Sequence, residues 1–200
     1  MRLGIFGGSF SPVHNGHVEI ASEFLKEFSL DKLLIIPTGS PPYRDIAPYV
    51  SNKARFEMCQ MAFSGIRSTE VSDIELCRKG KSYTVHTLKE LSSPSTELFM
   101  LVGSDKIPNM KNWYGSTEIF TLCTVVYAER AGYPQNVEKD ISELVSRFNA
   151  KIVRLNVKTD DISSEMIRSA ISDGKDIKQW VPHKVEKYIR DNGLYQNNAK

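Results

Sequence analysis

Two imidazoles stand three residues apart in His14-Asn15-Gly16-His17, directly behind the glycine-bearing stretch Gly7-Gly8-Ser9-Phe10. Three chemistries suit such a pair. They can be ordinary polar loop residues, one of them capping a helix. They can bind a metal, but two histidines are too few ligands and no acidic or cysteine cluster surrounds them. They can donate to phosphate oxygens, and the adjacent glycines favour this, because a glycine lets backbone turn sharply or approach a ligand closely.

A second stretch has similar potential. In Asp161-Ile162-Ser163-Ser164-Glu165-Met166-Ile167-Arg168, Ser164 and Arg168 are four apart and stack on one side of a helix. Helical side chains lean toward the N-terminus, so Arg168 can reach back to the cap. A hydroxyl, free N–H groups and a guanidinium then converge on one spot, which suits phosphate. Alone, this stretch reads sooner as a plain serine N-cap and an exposed arginine. Its pairing with the histidine loop favours phosphate.

These residues need elements to hold them. Leu3 to Phe6 is a short apolar strand that breaks at the glycines. After the loop, Ile20, Ala21, Phe24, Leu25 and Phe28 share one helix face, with Glu19, Ser22, Glu23 and Lys26 opposite. Strand, glycine loop and helix place the helix N-terminus beyond the strand's C-terminal end, where open α/β sheets bind ligands. Further strands are expected at Lys32–Pro37, Thr69–Cys77, Glu97–Val102, Cys123–Ala128 and Lys151–Leu155. A loop runs from Thr38 to about Val50, then Ser51 or Asn52 caps a helix to Phe63 with Phe56, Cys59 and Phe63 inward. Ser82 is expected to cap a helix whose Val85, Leu88 and Leu91 share a face, and Asn109–Thr117, with Trp113, to be irregular. Val137–Phe148 reads as an exposed amphipathic helix, and a helix from Ser163-Ser164 carries Met166, Ile167, Ala170 and Ile171 inward before stopping near Gly174. Alternating strands and helices predict an α/β fold, a Rossmann-like open, mostly parallel sheet with helices on both faces. No repeat, linker or low-complexity tract divides the chain, so residues 1–200 are expected to form one domain with Tyr195–Lys200 frayed.

Bulk composition narrows the function. The chain has 200 residues, 40% hydrophobic and 25% charged, as in a globular protein with one sizeable core. A formal charge of +2 supplies no basic stripe for nucleic acid. The apolar runs are strand-sized, which argues against a membrane span, and the first strand begins at once, leaving no signal peptide expected. Cys59, Cys77 and Cys123 are odd in number and scattered, as reduced cysteines of a cytoplasmic protein would be. No G-x-G-x-x-G follows the first strand, which sets aside an NAD(P)-dependent oxidoreductase.

The run Gly7-Gly8-Ser9-Phe10-Ser11-Pro12-Val13-His14-Asn15-Gly16-His17 resembles the G-G-[ST]-F-x-P-x-H-x-G-H signature of bacterial nicotinate-nucleotide adenylyltransferases, in the nucleotidylyltransferase superfamily. Ile162-Ser163-Ser164-Glu165-Met166-Ile167-Arg168 is similar to that superfamily's I-S-S-T-x-I-R, with Glu165 replacing the threonine. Ser82-Tyr83-Thr84 with Thr87-Leu88, Gly103-Ser104-Asp105, Trp113, Arg130-Ala131-Gly132-Tyr133 and the end from Trp180 through Tyr188 to Tyr195 also resemble the family. Pro41-Pro42-Tyr43-Arg44 departs from its usual P-P-H-K, keeping a cation and losing an imidazole.

The resemblance implies adenylyl transfer from ATP to nicotinate mononucleotide, giving the dinucleotide and pyrophosphate. It implies ATP binding by Gly7, Gly8, Ser9, Phe10, His14, His17, Gly103, Asp105, Ile162, Ser163, Ser164 and Arg168, with His14, His17 and Arg168 catalytic. It implies mononucleotide binding by Arg44, Ser82, Tyr83, Thr84, Trp113 and Arg130. Without the family, Trp113 reads as a packing residue, Thr84 as a first-turn residue and Asp105 as a helix cap or a partner for ribose hydroxyls. Mg²⁺ is expected to arrive with ATP, with no metal held by protein ligands alone. Alternatives left open are nicotinamide mononucleotide or another phosphate acceptor such as phosphopantetheine, and a non-catalytic nucleotide sensor on the same fold. The sequence also leaves a homo-oligomer open.

Overall fold

The computed structural model describes residues 1–42, 50–129, 137–157 and 161–196. Among these residues, six strands form one sheet: β1 (Arg2–Gly8), β2 (Lys32–Pro37), β3 (Thr69–Val71), β4 (Glu97–Gly103), β5 (Cys123–Ala128) and β6 (Ile152–Leu155). Their order is β3-β2-β1-β4-β5-β6, and every neighbouring pair is parallel. The order reverses between β1 and β4, where connections leave in opposite directions and open a crevice at the strands' C-terminal ends.

Among the described residues, seven α-helices cover the sheet: α1 (Asn15–Glu27), α2 (Asn52–Phe63), α3 (Thr84–Leu91), α4 (Ser116–Leu122), α5 (Glu138–Phe148), α6 (Ser164–Ser172) and α7 (His183–Asp191). The period-2 alternation of each strand divides the core in two. Phe6, Leu33, Ile35, Phe99, Leu101 and Val126 pack with residues of α1, α2, α6 and α7. Leu3, Ile5, Leu34, Ile36, Leu98, Met100 and Val125 pack with residues of α3, α4 and α5. The central strands are therefore apolar throughout, because both faces are covered. Among the described residues, no helix is long and apolar enough to cross a membrane.

Several sequence expectations change. The third strand stops at Val71 rather than reaching Cys77. Beyond it the chain turns, and Cys77 bonds back to Asp73 through backbone and thiol alike. Ser82 does not cap α3: Tyr83 holds the N-cap position, and the Ser82 hydroxyl instead accepts the Ser40 N–H at 3.1 Å. The region expected to be irregular, Asn109–Thr117, holds the end of a 3-10 helix, Ser104–Asn112, then a turn and the start of α4, whose entry uses Gly115 at φ 71. Phe56 is only half-buried; Arg55 and Met58 turn inward instead. Ser51 does cap α2, accepting the Ala54 N–H. The tail is anchored further than expected, since Tyr195 is 7% exposed and its hydroxyl lies 3.2 Å from Ser11 Oγ.

Candidate active site

A cleft of about 540 Å³ opens at the C-terminal ends of β1 and β4. One wall is the loop between β1 and α1. Gly7, Gly8, Ser9, Phe10, His14 and His17 all line it. Phe10 is 1% exposed and adopts φ 45, a left-handed conformation uncommon outside glycine. It holds this shape because its ring is wedged among Phe6, His17 and Phe63. Non-glycine residues persist there only where surrounding packing over-determines them.

The histidines form a stacked pair, with ring centroids 3.6 Å apart. The His14 backbone N–H donates to His17 Nδ1 at 3.2 Å, so His14 sits at the α1 N-cap while His17, one turn on, answers it. A ring that accepts at Nδ1 carries its proton on Nε2, which makes Nε2 a donor. The entry to α1 is further fixed by Asn15, whose backbone and side-chain N–H groups donate to the carbonyls of Trp180 and Gln179.

The second cradle docks on the first. Ser164 Oγ donates to the Pro12 carbonyl at 2.8 Å, and Arg168 Nη1 donates to the Ser11 carbonyl at 2.7 Å. Residues 152 and 157 positions apart in sequence thus share one wall, and Ile162, Ser164 and Arg168 line the cleft with the histidines. Ser163 takes a different role: its hydroxyl accepts the Met166 N–H as the N-cap of α6, and it is not among the lining residues. Glu165, standing where the related signature has threonine, also lines the cleft and places a carboxylate in the first turn.

The opposite wall comes from β4 and α3. Gly103 ends the strand, and a Cβ there would lie 2.4 Å from Asp105 Oδ1. The Asp105 carboxylate is folded over that glycine and bonded to Lys106 Nζ at 2.7 Å. Ser82, Tyr83, Thr84 and Trp113 line the cleft, as does Tyr114, whose ring lies 4.6 Å from that of Tyr83. Arg44 and Arg130 lie outside the described residues.

Sequence reasoning missed three contributors. Glu75 is 8% exposed yet lines the cleft, accepting from Thr87 Oγ1 at 2.9 Å, and Arg78 donates to that same hydroxyl. Burial pushes its carboxyl above the usual value, opposed by hydrogen bonds from Thr87 and Ser82 and by the charge of Arg78. Lys106 brings a cation beside Asp105. Arg55, 1% exposed, donates to the carbonyls of Ser9 and Thr38, at 2.7 and 2.6 Å, and to Asn52 Oδ1 at 2.7 Å. Burial pulls its guanidinium below the ordinary value, while Cys59 and Tyr195 act the other way. Neither Glu75 nor Arg55 carries a sequence signal, because charged residues are rarely so buried and one helix face looks like another until packed. The buried thiols of Cys59 and Cys123 are both raised by desolvation, which leaves them poor nucleophiles. Among the described residues, no group of three or more His, Cys, Asp or Glu is placed to hold a metal.

Known proteins match this architecture. Residues 5–170 match the cytidylyltransferase-like family model. The chain is 34% identical over 198 residues to a "Probable nicotinate-nucleotide adenylyltransferase" of Clostridium novyi, covering 98% of this chain and 99% of that one. It is 33% identical over 200 residues to a namesake in Clostridium botulinum, covering 98% and 100%. Among solved structures, the Plasmodium falciparum nicotinic acid mononucleotide adenylyltransferase complexed with NaAD superposes with a TM-score of 0.79 at 18% identity, covering 97% of both chains. A Vibrio parahaemolyticus structure described as a "Putative Nicotinate-nucleotide Adenylyltransferase" gives a TM-score of 0.69 at 20% identity, covering 98% of this chain and 96% of that one.

Proposed function

The chain belongs to the cytidylyltransferase-like family, and to the nicotinate-nucleotide adenylyltransferases within it, and from that we propose that it joins ATP and nicotinate mononucleotide. The products are nicotinate adenine dinucleotide and pyrophosphate, a step in making NAD. One observation carries the reading to this chain: two phosphate-type cradles, distant in sequence, meet in one cleft whose other wall holds Thr84 and Trp113.

The mononucleotide phosphate attacks the α-phosphorus of ATP in line. A new phosphorus–oxygen bond forms as the bond to the departing pyrophosphate breaks. The nucleophile is already ionised, so the protein need supply neither a covalent nucleophile nor a general base. Its work is positioning and charge neutralisation. His14 and His17 donate to the triphosphate as charge grows on the leaving oxygens. Arg168 and the α6 N-terminus hold the β and γ phosphates, while the glycine loop lets backbone approach closely. Asp105 accepts from ribose hydroxyls. Trp113 offers an aromatic slab to the pyridine ring, and the Tyr83 hydroxyl with the Thr84 hydroxyl and backbone N–H bring donors to its carboxylate, with Ser82 beside them in the lining. Arg44 and Arg130 add cations for the mononucleotide. Mg²⁺ enters as part of the ATP substrate, since a hard cation keeps its waters and phosphate oxygens.

The direct test is product analysis. Purified protein given MgATP and nicotinate mononucleotide is expected to form dinucleotide and pyrophosphate in equal amounts. Pyrophosphate without dinucleotide, or neither, would overturn the reading.

A further inference from the structure

Arg55 is a large charged side chain with almost no solvent, and it has no role in the transfer described above. It lies in the first turn of α2 and is 1% exposed. Its three acceptors are all neutral: the carbonyls of Ser9 and Thr38 and the amide oxygen of Asn52. Among the described residues, no carboxylate forms an ion pair with it. Burying a cation against neutral oxygens alone is costly, and truly buried charges usually have a counter-ion.

Its location supplies a reason. Ser9 and Thr38 follow the adjacent parallel strands β1 and β2, whose ends are already tied by the Thr38 N–H to the Gly8 carbonyl. Both residues line the cleft, whereas Arg55 does not, so the guanidinium stands behind the wall. Its planar fork reaches both strand ends at once, a geometry an ammonium cannot copy. The Ser9 carbonyl is drawn back into the guanidinium. Because a trans peptide sets C=O and N–H on opposite sides, the following Phe10 N–H is turned away from Arg55. Phe10 is the residue held at φ 45, so the grip on Ser9 fixes the strained turn at its start.

We propose that Arg55 is a positioning residue for the phosphate loop: it aims the Ser9–Phe10 peptide and lends that loop a fixed positive charge that a bound phosphate completes. This rests on the reading of the cleft as a nucleotide phosphate site. The bound anion then acts through the wall as the counter-ion that the described residues do not supply. The same contact joins the loop after β1 to the stem of the loop after β2, so one side chain ties both.

The test compares the parent protein with Arg55→Lys and Arg55→Met, titrated calorimetrically with inorganic pyrophosphate and, separately, with adenosine. Folding is followed by circular dichroism and thermal melting. Arg55→Met is expected to weaken pyrophosphate at least tenfold while adenosine changes less than twofold. Arg55→Lys, which keeps the charge and loses the fork, falls between. A folded Arg55→Met that binds pyrophosphate like the parent would overturn the proposal, as would equal weakening of both probes. If Arg55→Met does not fold, Arg55→Lys decides: selective weakening of pyrophosphate supports the proposal and parental affinity overturns it. If neither variant folds, Arg55 belongs to the folding core alone and the proposal falls. A parent that binds pyrophosphate but forms no dinucleotide would sink the functional reading and leave the Arg55 comparison standing.

Discussion

At the scale of single residues, the histidine loop presents a donor that is already aimed. His17 is held by the His14 N–H at Nδ1 and by the rings of Phe6 and Phe10, so its remaining nitrogen needs little reorganisation to donate. His17→Ala is therefore expected to lower kcat about 100- to 1,000-fold, with a smaller change in the KM for ATP. Steady-state kinetics on the variant check this, and a kcat within a few-fold of the parent would refute the role. Glu75 makes a second residue-level prediction. Its folded carboxyl titrates above its ordinary 4.5 because it is buried, so the folded state holds its proton more tightly than the unfolded chain. The stability it contributes is present below pH 4.5 and is lost as pH rises through the higher folded value. Glu75→Gln lacks that titration, so its melting temperature relative to the parent should climb as pH rises from 4.5 through the folded pKa. A flat difference across that range would show that Glu75 is not shifted.

At the scale of elements, the histidine loop and the α6 helix were legible because their residue types are unusual and their spacing is tight. Pro37 and Gly39 bracket the end of β2 as turn residues do, and that strand appears where its apolar run stands, Lys32–Pro37. The failures have physical causes. Ser82 looked like a cap, but tertiary contact overrode local preference when Ser40 claimed its hydroxyl. The segment to Cys77 has strand-like alternation, yet it leaves the sheet at Val71 because its chain must turn to seat Glu75 beside Thr87. The same junction explains Gly39. A Cβ there would lie 2.2 Å from the Glu75 carbonyl, so the loop after β2 packs backbone to backbone against the 75–82 segment. Gly39→Ala should cost roughly 1–3 kcal/mol, as forced overpacking does, measured by denaturant unfolding. A loss below a few tenths would mean that this loop stem is not tightly seated.

At the scale of the whole molecule, the alternation of apolar strands and amphipathic helices was enough for the class of fold, and the structure makes the sheet fully parallel. What the sequence did not contain was the strand order, because non-local pairing leaves no local mark. That order sets the site: with β1 and β4 adjacent, Gly8 and Gly103 end on neighbouring strands, and the histidine-loop wall faces the wall from β4 and α3. The chain's far end joins in, since Tyr195 is buried and pairs with Ser11 in the histidine loop. Burial pushes its phenol up, so it stays protonated as a donor or acceptor to that serine. The role expected of each lining residue came only from the resemblance, since Trp113 and Asp105 have ordinary structural readings on their own.

The central claim is adenylyl transfer to an acid mononucleotide, and a coupled pyrophosphate-release assay with MgATP and a panel of acceptors tests it most directly. The panel is nicotinate mononucleotide, its amide and phosphopantetheine. We expect kcat/KM for the acid to exceed that for the amide by about tenfold or more, the order of one well-placed charge-assisted hydrogen bond, and no release with phosphopantetheine. Equal or faster release with the amide, or binding of ATP with no release on any acceptor, would contradict it.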